Sequence, residues 1–151
     1  PVKGHCYQIG QVKLEILHPK GGNDYDNEND RSIVFRLKYM GNSILFTGDL
    51  GIEQEEALLA DISDISADFL KIGHHGSKHS TSLKFLKKVD PKIAIISVGR
   101  NNYGHPQKSV LNSLEKRGIV VLRTDKKGAI QVLLNKKRKC RVGYFKNGII
   151  K

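Results

Sequence analysis

Three short polar segments hold the residues of this chain that are best suited to chemistry. Each follows an apolar run that is typical of a buried strand, at residues 43–46, 68–72 and 93–98. Because functional residues of layered α/β proteins collect at the carboxyl ends of strands, the three segments predict one shared site. Together they supply a carboxylate and three histidines, the donors of a hydrolytic metal centre, namely Asp49, His74, His75 and His105.

The first segment, Thr47-Gly48-Asp49, ends in an acid with two alternative roles. The two carboxylate oxygens can each bind one ion, so Asp49 is suited to bridging two divalent metals. Aspartate is also common as the residue that caps the first turn of a helix, and a helix is predicted directly after it. The spacing leaves both roles open.

The second segment contains the adjacent histidines His74 and His75. Neighbouring side chains point in different directions, so one is expected to bind metal while the other supports it or contacts substrate. Gly76 allows a sharp turn, and donors that can hold a phosphate follow at Ser77, His79, Ser80 and Thr81. The alternative is a surface loop in which the pair has no function.

The third segment places His105 directly before Pro106. His105 can bind metal, act as a general acid, or clamp a phosphate beside the following helix. Side chains that can contact a substrate precede it at Asn101, Asn102 and Tyr103. The alternative is a histidine that only closes the turn.

Two other positions lack a comparable pattern. Asn29 and Asp30 lie just before a predicted strand and can supply an oxygen ligand, although an acidic loop without function is an equal alternative. His5 and His18 have no partners nearby in sequence and are interpreted as structural.

The elements that position these residues follow from periodicity. Apolar runs predict strands at residues 12–17, 31–39, 43–46, 69–72, 93–98, 119–122, 129–134 and 141–145. Helices are predicted after Asp49, from a cap at residues 80–82 through Lys88, and from Pro106 to about Lys116, with a turn at 125–128. Alternation of strands and helices beyond residue 69 predicts an α/β fold in one domain.

The composition favours polyanionic partners. The chain has 151 residues with 38% hydrophobic and 27% charged residues, which is typical of a globular domain, and its net charge is +11. A basic cluster lies near the end, at Lys136, Lys137, Arg138 and Lys139. Such charge is suited to DNA, with a steep salt dependence, or to a solvated surface. Cys6 and Cys140 are expected to be buried thiols rather than a disulfide.

Three stretches together resemble a known family. NDRSIVFRLKYMGNSILFTGDLG, FLKIGHHGSKHSTS and PKIAIISVGRNNYGHP closely resemble the metallo-β-lactamase-fold domain of ComEC-type DNA-internalisation (competence) proteins. The resemblance implies an αββα sandwich with two divalent ions, zinc or manganese. It implies that Asp49 bridges them and that His75 is a ligand with His74 beside it. Asp30 falls at a ligand position and His105 on the substrate side.

The chain also departs from that family. Its early half should carry an aspartate after its first strands and a His-x-His/Asp-x-Asp-His cluster, and neither motif is found in this sequence. We therefore predict that the chain is the C-terminal part of one hydrolase domain. Metal binding by this part alone should be weak or absent, and activity slow. The missing N-terminal half is an expected partner, with self-association as the alternative.

The resemblance implies a function in DNA uptake. We expect a DNA nuclease that cuts phosphodiesters with catalytic Asp49, His75 and His105, and with substrate contacts from His74, Ser77 and Tyr103. The expected location is a bacterial membrane-associated parent with this domain outside the bilayer. One alternative is a hydrolase of small phosphodiesters such as choline-phosphate esters, and another is a non-catalytic DNA-binding module.

Overall fold

Ten strands and four helices make up the described part of the chain. The computed structural model describes residues 1–22, 25, 27–135, 140–146 and 149–150. The strands are β1 Cys6–Ile9, β2 Val12–His18, β3 Val34–Tyr39, β4 Asn42–Phe46, β5 Phe69–Lys71, β6 Ile93–Ile96, β7 Val120–Arg123, β8 Ala129–Leu134, β9 Cys140–Lys146 and β10 Ile149–Ile150. The helices are α1 Ile52–Asp61, α2 Leu83–Val89, α3 Lys108–Lys116 and α4 Thr124–Lys127, and 3-10 turns form at Glu28–Arg31 and Gly73–Gly76.

The strands form a seven-stranded sheet, ordered β1 to β7 along the chain, and a three-stranded sheet ordered β10-β9-β8. In the large sheet, β1 to β4 are antiparallel neighbours, whereas β4 to β7 run parallel. Each parallel connection therefore returns through a helix or a long loop. The carboxyl ends of β4, β5 and β6 consequently lie side by side, which brings the three polar segments to one edge. The predicted α/β class is confirmed.

The hydrophobic core lies between the large sheet and its helices. From the strands it contains fully buried Val34, Leu45, Leu70, Ala94 and Ile96, and from the helices Leu58, Phe85, Leu86, Val89 and Leu114. Ser82 caps α2 by accepting a hydrogen bond from the Phe85 backbone N–H. None of the helices in the described ranges is long and apolar enough to cross a bilayer.

The same face of the sheet also buries a charge. Arg36 is only 6% exposed and donates hydrogen bonds to Glu15, Asp64 and the Ser66 carbonyl. Burial of Glu15 acts to raise its pKa, but hydrogen bonds from Lys13, Arg36 and Lys38 outweigh it and lower the pKa to about 2. Pairing therefore keeps this cluster ionised where an isolated charge would be costly.

Several sequence expectations need correction. Helix α3 starts at Lys108 with Gln107 as its N-cap, because Pro106 instead packs in the preceding loop against Gly76. The predicted turn at 125–128 is the single-turn helix α4. Cys6 is exposed, since it lies on the edge strand β1, which periodicity did not identify, and Cys140 is only half-buried, so neither is the buried thiol that was expected. The basic cluster at 136–139 lies outside the described residues.

Candidate functional site

A polar cleft of about 390 Å³ opens at the edge where β4 and β5 end. Five of the residues that line it carry metal-binding or acid–base groups: Glu28, Asp30, Asp49, His74 and His79. Asn27, Asn29 and Gly51 complete the lining. Asp30, Asp49 and His74, which are far apart in sequence, thus share one cleft, and His79 joins them.

Asp49 is positioned by the loop that follows β4. The Thr47 hydroxyl donates to the Lys71 carbonyl at 2.9 Å and so ties this loop to β5. Gly48 has φ +54°, and a Cβ there would lie 2.9 Å from the Ser32 Cβ, so only glycine fits. The Asp49 backbone N–H donates to the Ser32 hydroxyl at 2.9 Å. The N-cap of α1 is Gly51, so the interpretation of Asp49 as a helix cap is wrong.

The histidine pair sits in a tightly turned backbone. His74 and His75 both have positive φ, 45° and 54°, and the His74 N–H donates to the Gly48 carbonyl at 3.0 Å. The His75 Nδ1 lies 2.7 Å from the Ser97 carbonyl oxygen. Since a carbonyl only accepts, Nδ1 must carry the proton, which leaves the Nε2 lone pair free. A carbonyl in this position is the usual partner that orients a metal-binding imidazole.

His75 and His105 lie beside the cleft instead of lining it. The His74 ring centroid is 6.5 Å from that of His75 and 5.7 Å from that of His105. Burial, followed by the charges of His74 and His75, lowers the pKa of His105 below its usual value. Its Nδ1 is buried without a hydrogen-bond partner among the described residues. A neutral imidazole suits binding a metal, donating a hydrogen bond or accepting a proton better than acting as a general acid.

The segments that carry His75 and His105 are held against each other. A Cβ at Gly76 would lie 2.6 Å from the Pro106 Cβ, and the Gln107 N–H donates to the Gly76 carbonyl at 2.9 Å. Ser77 is 3% exposed, and its hydroxyl accepts a hydrogen bond from the His79 N–H at 3.3 Å. Its observed contact therefore organises the loop. Tyr103, in contrast, is 81% exposed.

Asp30 is fixed by contacts that were not anticipated from the sequence. Its N–H donates to the Asn27 side chain at 3.0 Å, and the Asn27 amide donates back to its carboxylate at 2.6 Å. The His18 Nε2 lies 2.7 Å from the Asp30 carbonyl, and His18 is 4% exposed. The Asn-x-x-Asp spacing was a recognisable capping signal. No local signal pointed to the contact between His18 and Asp30.

The burial of Glu55 is also not predicted by its position in the sequence. Glu55 lies in the first turn of α1, where an acid is usually solvated, yet it is 1% exposed. Its carboxylate accepts hydrogen bonds from the backbone N–H groups of Thr81 and Ser82. Burial raises the pKa of Glu55, and these hydrogen bonds oppose the shift. The carboxylate thus links the helix after Asp49 to the segment after the histidine pair.

These residues fit part of a metal site. Asp49 and the free Nε2 of His75 are donors of the right chemical type, and the cleft has three acids and two histidines. Within the described ranges, however, no group of three or more His, Cys, Asp or Glu side chains is placed to hold one ion together. A catalytic zinc site uses three protein ligands, so further donors are needed.

Comparison with known proteins identifies the family. The model of the metallo-beta-lactamase superfamily matches residues 12–100, which is more than half of the chain. The chain belongs to the metallo-beta-lactamase superfamily. The matched region includes Asp30, Asp49 and both adjacent histidines, and it ends before His105.

Two of the curated proteins that the chain resembles are named for competence or a com operon. The chain is 42% identical over 144 residues to ComE operon protein 3 of Bacillus subtilis, covering 95% of this chain and 18% of that protein. It is 38% identical over 133 residues to competence protein ComA of Neisseria gonorrhoeae, covering 84% of this chain and 19% of that protein. The predicted resemblance to ComEC-type proteins is confirmed. The chain spans less than a fifth of these relatives.

Proposed function

We propose that this metallo-beta-lactamase domain is a divalent-metal-dependent phosphodiesterase that cuts DNA during DNA uptake. The observation that carries the proposal is the cleft in which Asp30, Asp49 and His74 meet. Similarity to two competence proteins supports a role in DNA uptake. The net charge of +11 favours a polyanionic substrate.

Each residue has a distinct task in this proposal. Asp49 and the Nε2 of His75 would hold the metals, with Asp30 as a further oxygen donor. Zinc or manganese, when bound, polarises the phosphoryl group and acidifies water. His74 orients a non-bridging phosphate oxygen from within the cleft. His105, close to His74, donates a hydrogen bond to the charge that develops on the phosphate.

The intact protein should cleave DNA only when a divalent cation is present. We expect hydrolysis of a fluorescent oligonucleotide with Mn²⁺ or Zn²⁺. Activity should be lost with a chelator and recovered when metal is added back, because the cleft residues act by holding the metal that activates water. Hydrolysis of choline-phosphate esters but not of DNA would favour the small-substrate alternative. Salt-sensitive DNA binding without cleavage would favour a non-catalytic module.

Residues 1–151 alone are, in our proposal, the C-terminal part of the catalytic domain. The remaining ligands come from an N-terminal half within a membrane-associated parent, with this domain outside the bilayer. Calorimetric titration of residues 1–151 with Zn²⁺ should therefore give weak binding, since no three His, Cys, Asp or Glu side chains in the described ranges are placed to hold one ion together. Sub-micromolar binding by a monomer would contradict this division.

The same division predicts association of this part when it is alone. Exposed apolar side chains on strands, such as Ile9 at 69% and Val120 at 55%, support contact with the missing half or with a second copy. Native mass spectrometry of residues 1–151 should give oligomers, or a complex when the other half is supplied. A monomer that forms no complex with the other half would contradict this prediction.

A further inference from the structure

Tyr103 is the most exposed of the large hydrophobic side chains in the described part of the chain, at 81%. A single exposed aromatic side chain is common on protein surfaces, so it indicates a binding surface only together with other observations. Tyr103 lies two residues before His105, in the loop between β6 and α3. Because Tyr103 lies beside the proposed catalytic groups, its exposed ring is in a position to contact substrate.

The loop around Tyr103 is held by the side-chain amides of Asn101 and Gln107. The Asn101 Oδ1 accepts hydrogen bonds from the N–H groups of Tyr103 at 3.1 Å and His105 at 3.0 Å. The Asn101 Nδ2 donates to the carbonyls of Gly99 and His105, both at 2.9 Å. Gln107 adds a hydrogen bond to the Tyr103 carbonyl at 3.1 Å. The backbone that carries the ring is therefore held in place while the ring itself remains in solvent.

The orientation of the ring extends the site. The Tyr103 and His105 rings are nearly parallel, at 19°, with centroids 5.8 Å apart. The His105 ring in turn lies 5.7 Å from that of His74, which lines the cleft. The three rings lead from the cleft to solvent, and Tyr103 is the outermost of them. A planar group next to a phosphate held in the cleft would meet its open face.

We propose that Tyr103 stacks on the nucleobase adjacent to the scissile phosphate, and that the substrate strand is therefore single or locally unpaired. This inference rests on the proposed function and adds the form of DNA that the site accepts. Within a duplex both faces of a base are covered by its neighbours, whereas an unpaired base can lie flat on an aromatic ring. Stacking of this kind is tolerant of sequence because every base has such a face.

Charge near Tyr103 favours DNA over a choline headgroup. Arg100 and Lys108 flank the loop, and both are exposed. Their positive charge attracts a phosphate backbone and repels a quaternary ammonium group. Recognition of choline usually requires a cage of several aromatic rings around the cation. Tyr103 offers one tyrosine face beside a histidine, which suits stacking better than such a cage.

The test compares wild-type protein with Tyr103 variants, each on two substrates, in the intact, metal-loaded protein. Two single-stranded oligonucleotides are used, and one of them has a tetrahydrofuran abasic residue beside the cleaved phosphate. Wild-type protein should cut the abasic strand about 5- to 150-fold more slowly, the range expected when one stacked base is lost. Tyr103→Ala should lose the same factor on the normal strand and discriminate little between the two. Tyr103→Phe should behave as wild type, and so should Tyr7→Ala, which removes another exposed tyrosine on β1.

Affinity for phosphorothioate forms of the same strands, measured by fluorescence anisotropy, separates this inference from the proposed function. If no strand is cut but Tyr103→Ala weakens binding of the normal strand only, the nuclease proposal fails and base stacking stands. If Tyr103→Ala leaves cleavage and binding unchanged, or weakens both strands equally, stacking is overturned. If the variant impairs only p-nitrophenylphosphorylcholine hydrolysis, Tyr103 serves a choline ester and stacking is likewise overturned.

Discussion

Replacement of Asp49 by alanine should reduce DNA cleavage by the intact protein by on the order of a thousandfold. The carboxylate is half-buried at the edge of the cleft and faces it together with Asp30 and His74. The two oxygens of one carboxylate can bind two cations. Among the described donors of the cleft, Asp49 is the one that comes directly after β4 in the chain. Asp49→Asn should fail nearly as badly, because an amide lacks the charge that divalent ions require.

The fold should survive this change. The contact that places residue 49 uses its backbone N–H and the Ser32 hydroxyl, which the substitution leaves intact. Removing one of several neighbouring acids also relieves repulsion with Asp30 and Glu28 in the same cleft. We therefore expect the free energy of unfolding to stay within about 0.5 kcal/mol of wild type.

Asp61→Asn is the matched control for the charge itself. Asp61 lies at the end of α1, where it pairs with Lys3 and Lys20, and it is not among the residues that line the cleft. This variant should retain wild-type cleavage. Unchanged turnover in Asp49→Ala, measured beside an unchanged unfolding midpoint, would refute the assignment of Asp49.

Strand positions could be predicted because their signal is local. The run at 129–134 has the same bounds as β8, and the run at 12–17 differs from β2 only by His18. Alternation reveals two faces of a strand but not which face will be covered. In β3 the core takes Val34 and Arg36, while Ile33 just before the strand remains 44% exposed. Only the position of the helices decides this.

Motif residues of the site could be located for the same reason, whereas their supports could not. The contact between His18 and Asp30 spans 12 residues, that between Ser32 and Asp49 spans 17, and that between Glu55 and Thr81 spans 26. Such pairs depend on the tertiary fold and leave no periodic trace in one sequence. The expected place of Pro106 in α3 was wrong for the same reason. Propensity favoured the first turn, but packing on Gly76 holds the proline in the loop.

Gly76→Ala should be the most damaging glycine substitution near the site. Gly76 has φ +85°, and the new Cβ would lie 2.6 Å from the Pro106 Cβ and 3.0 Å from its Cα. The left-handed backbone costs alanine about 1 kcal/mol, and relieving the overlap costs about 1–3 kcal/mol more. We expect the free energy of unfolding, measured by urea denaturation, to fall by about 2–4 kcal/mol.

Two other glycines separate the causes of this loss. Gly118 also has positive φ, +67°, but a Cβ there meets nothing within 4 Å, so Gly118→Ala isolates the cost of the backbone. Gly99 meets nothing within 4 Å and needs no positive φ, so Gly99→Ala should stay within about 0.5 kcal/mol of wild type. The excess loss in Gly76→Ala over Gly118→Ala then measures the contact with Pro106.

The rate of DNA cleavage should depend on the contact between Gly76 and Pro106 and not only on the stability of the fold. The Cβ of Gly76→Ala pushes the His75 segment away from the loop that carries His105, and displacements of about 1 Å at a catalytic constellation cost on the order of a hundredfold in rate. Gly118→Ala, which lies beyond α3, should lose stability and keep its rate in the folded protein. If the two variants lose cleavage equally once the folded fraction is taken into account, the Gly76–Pro106 contact does not align the histidines. In that case His105 acts independently of His75, and the shared site reduces to the cleft formed by Asp30, Asp49 and His74.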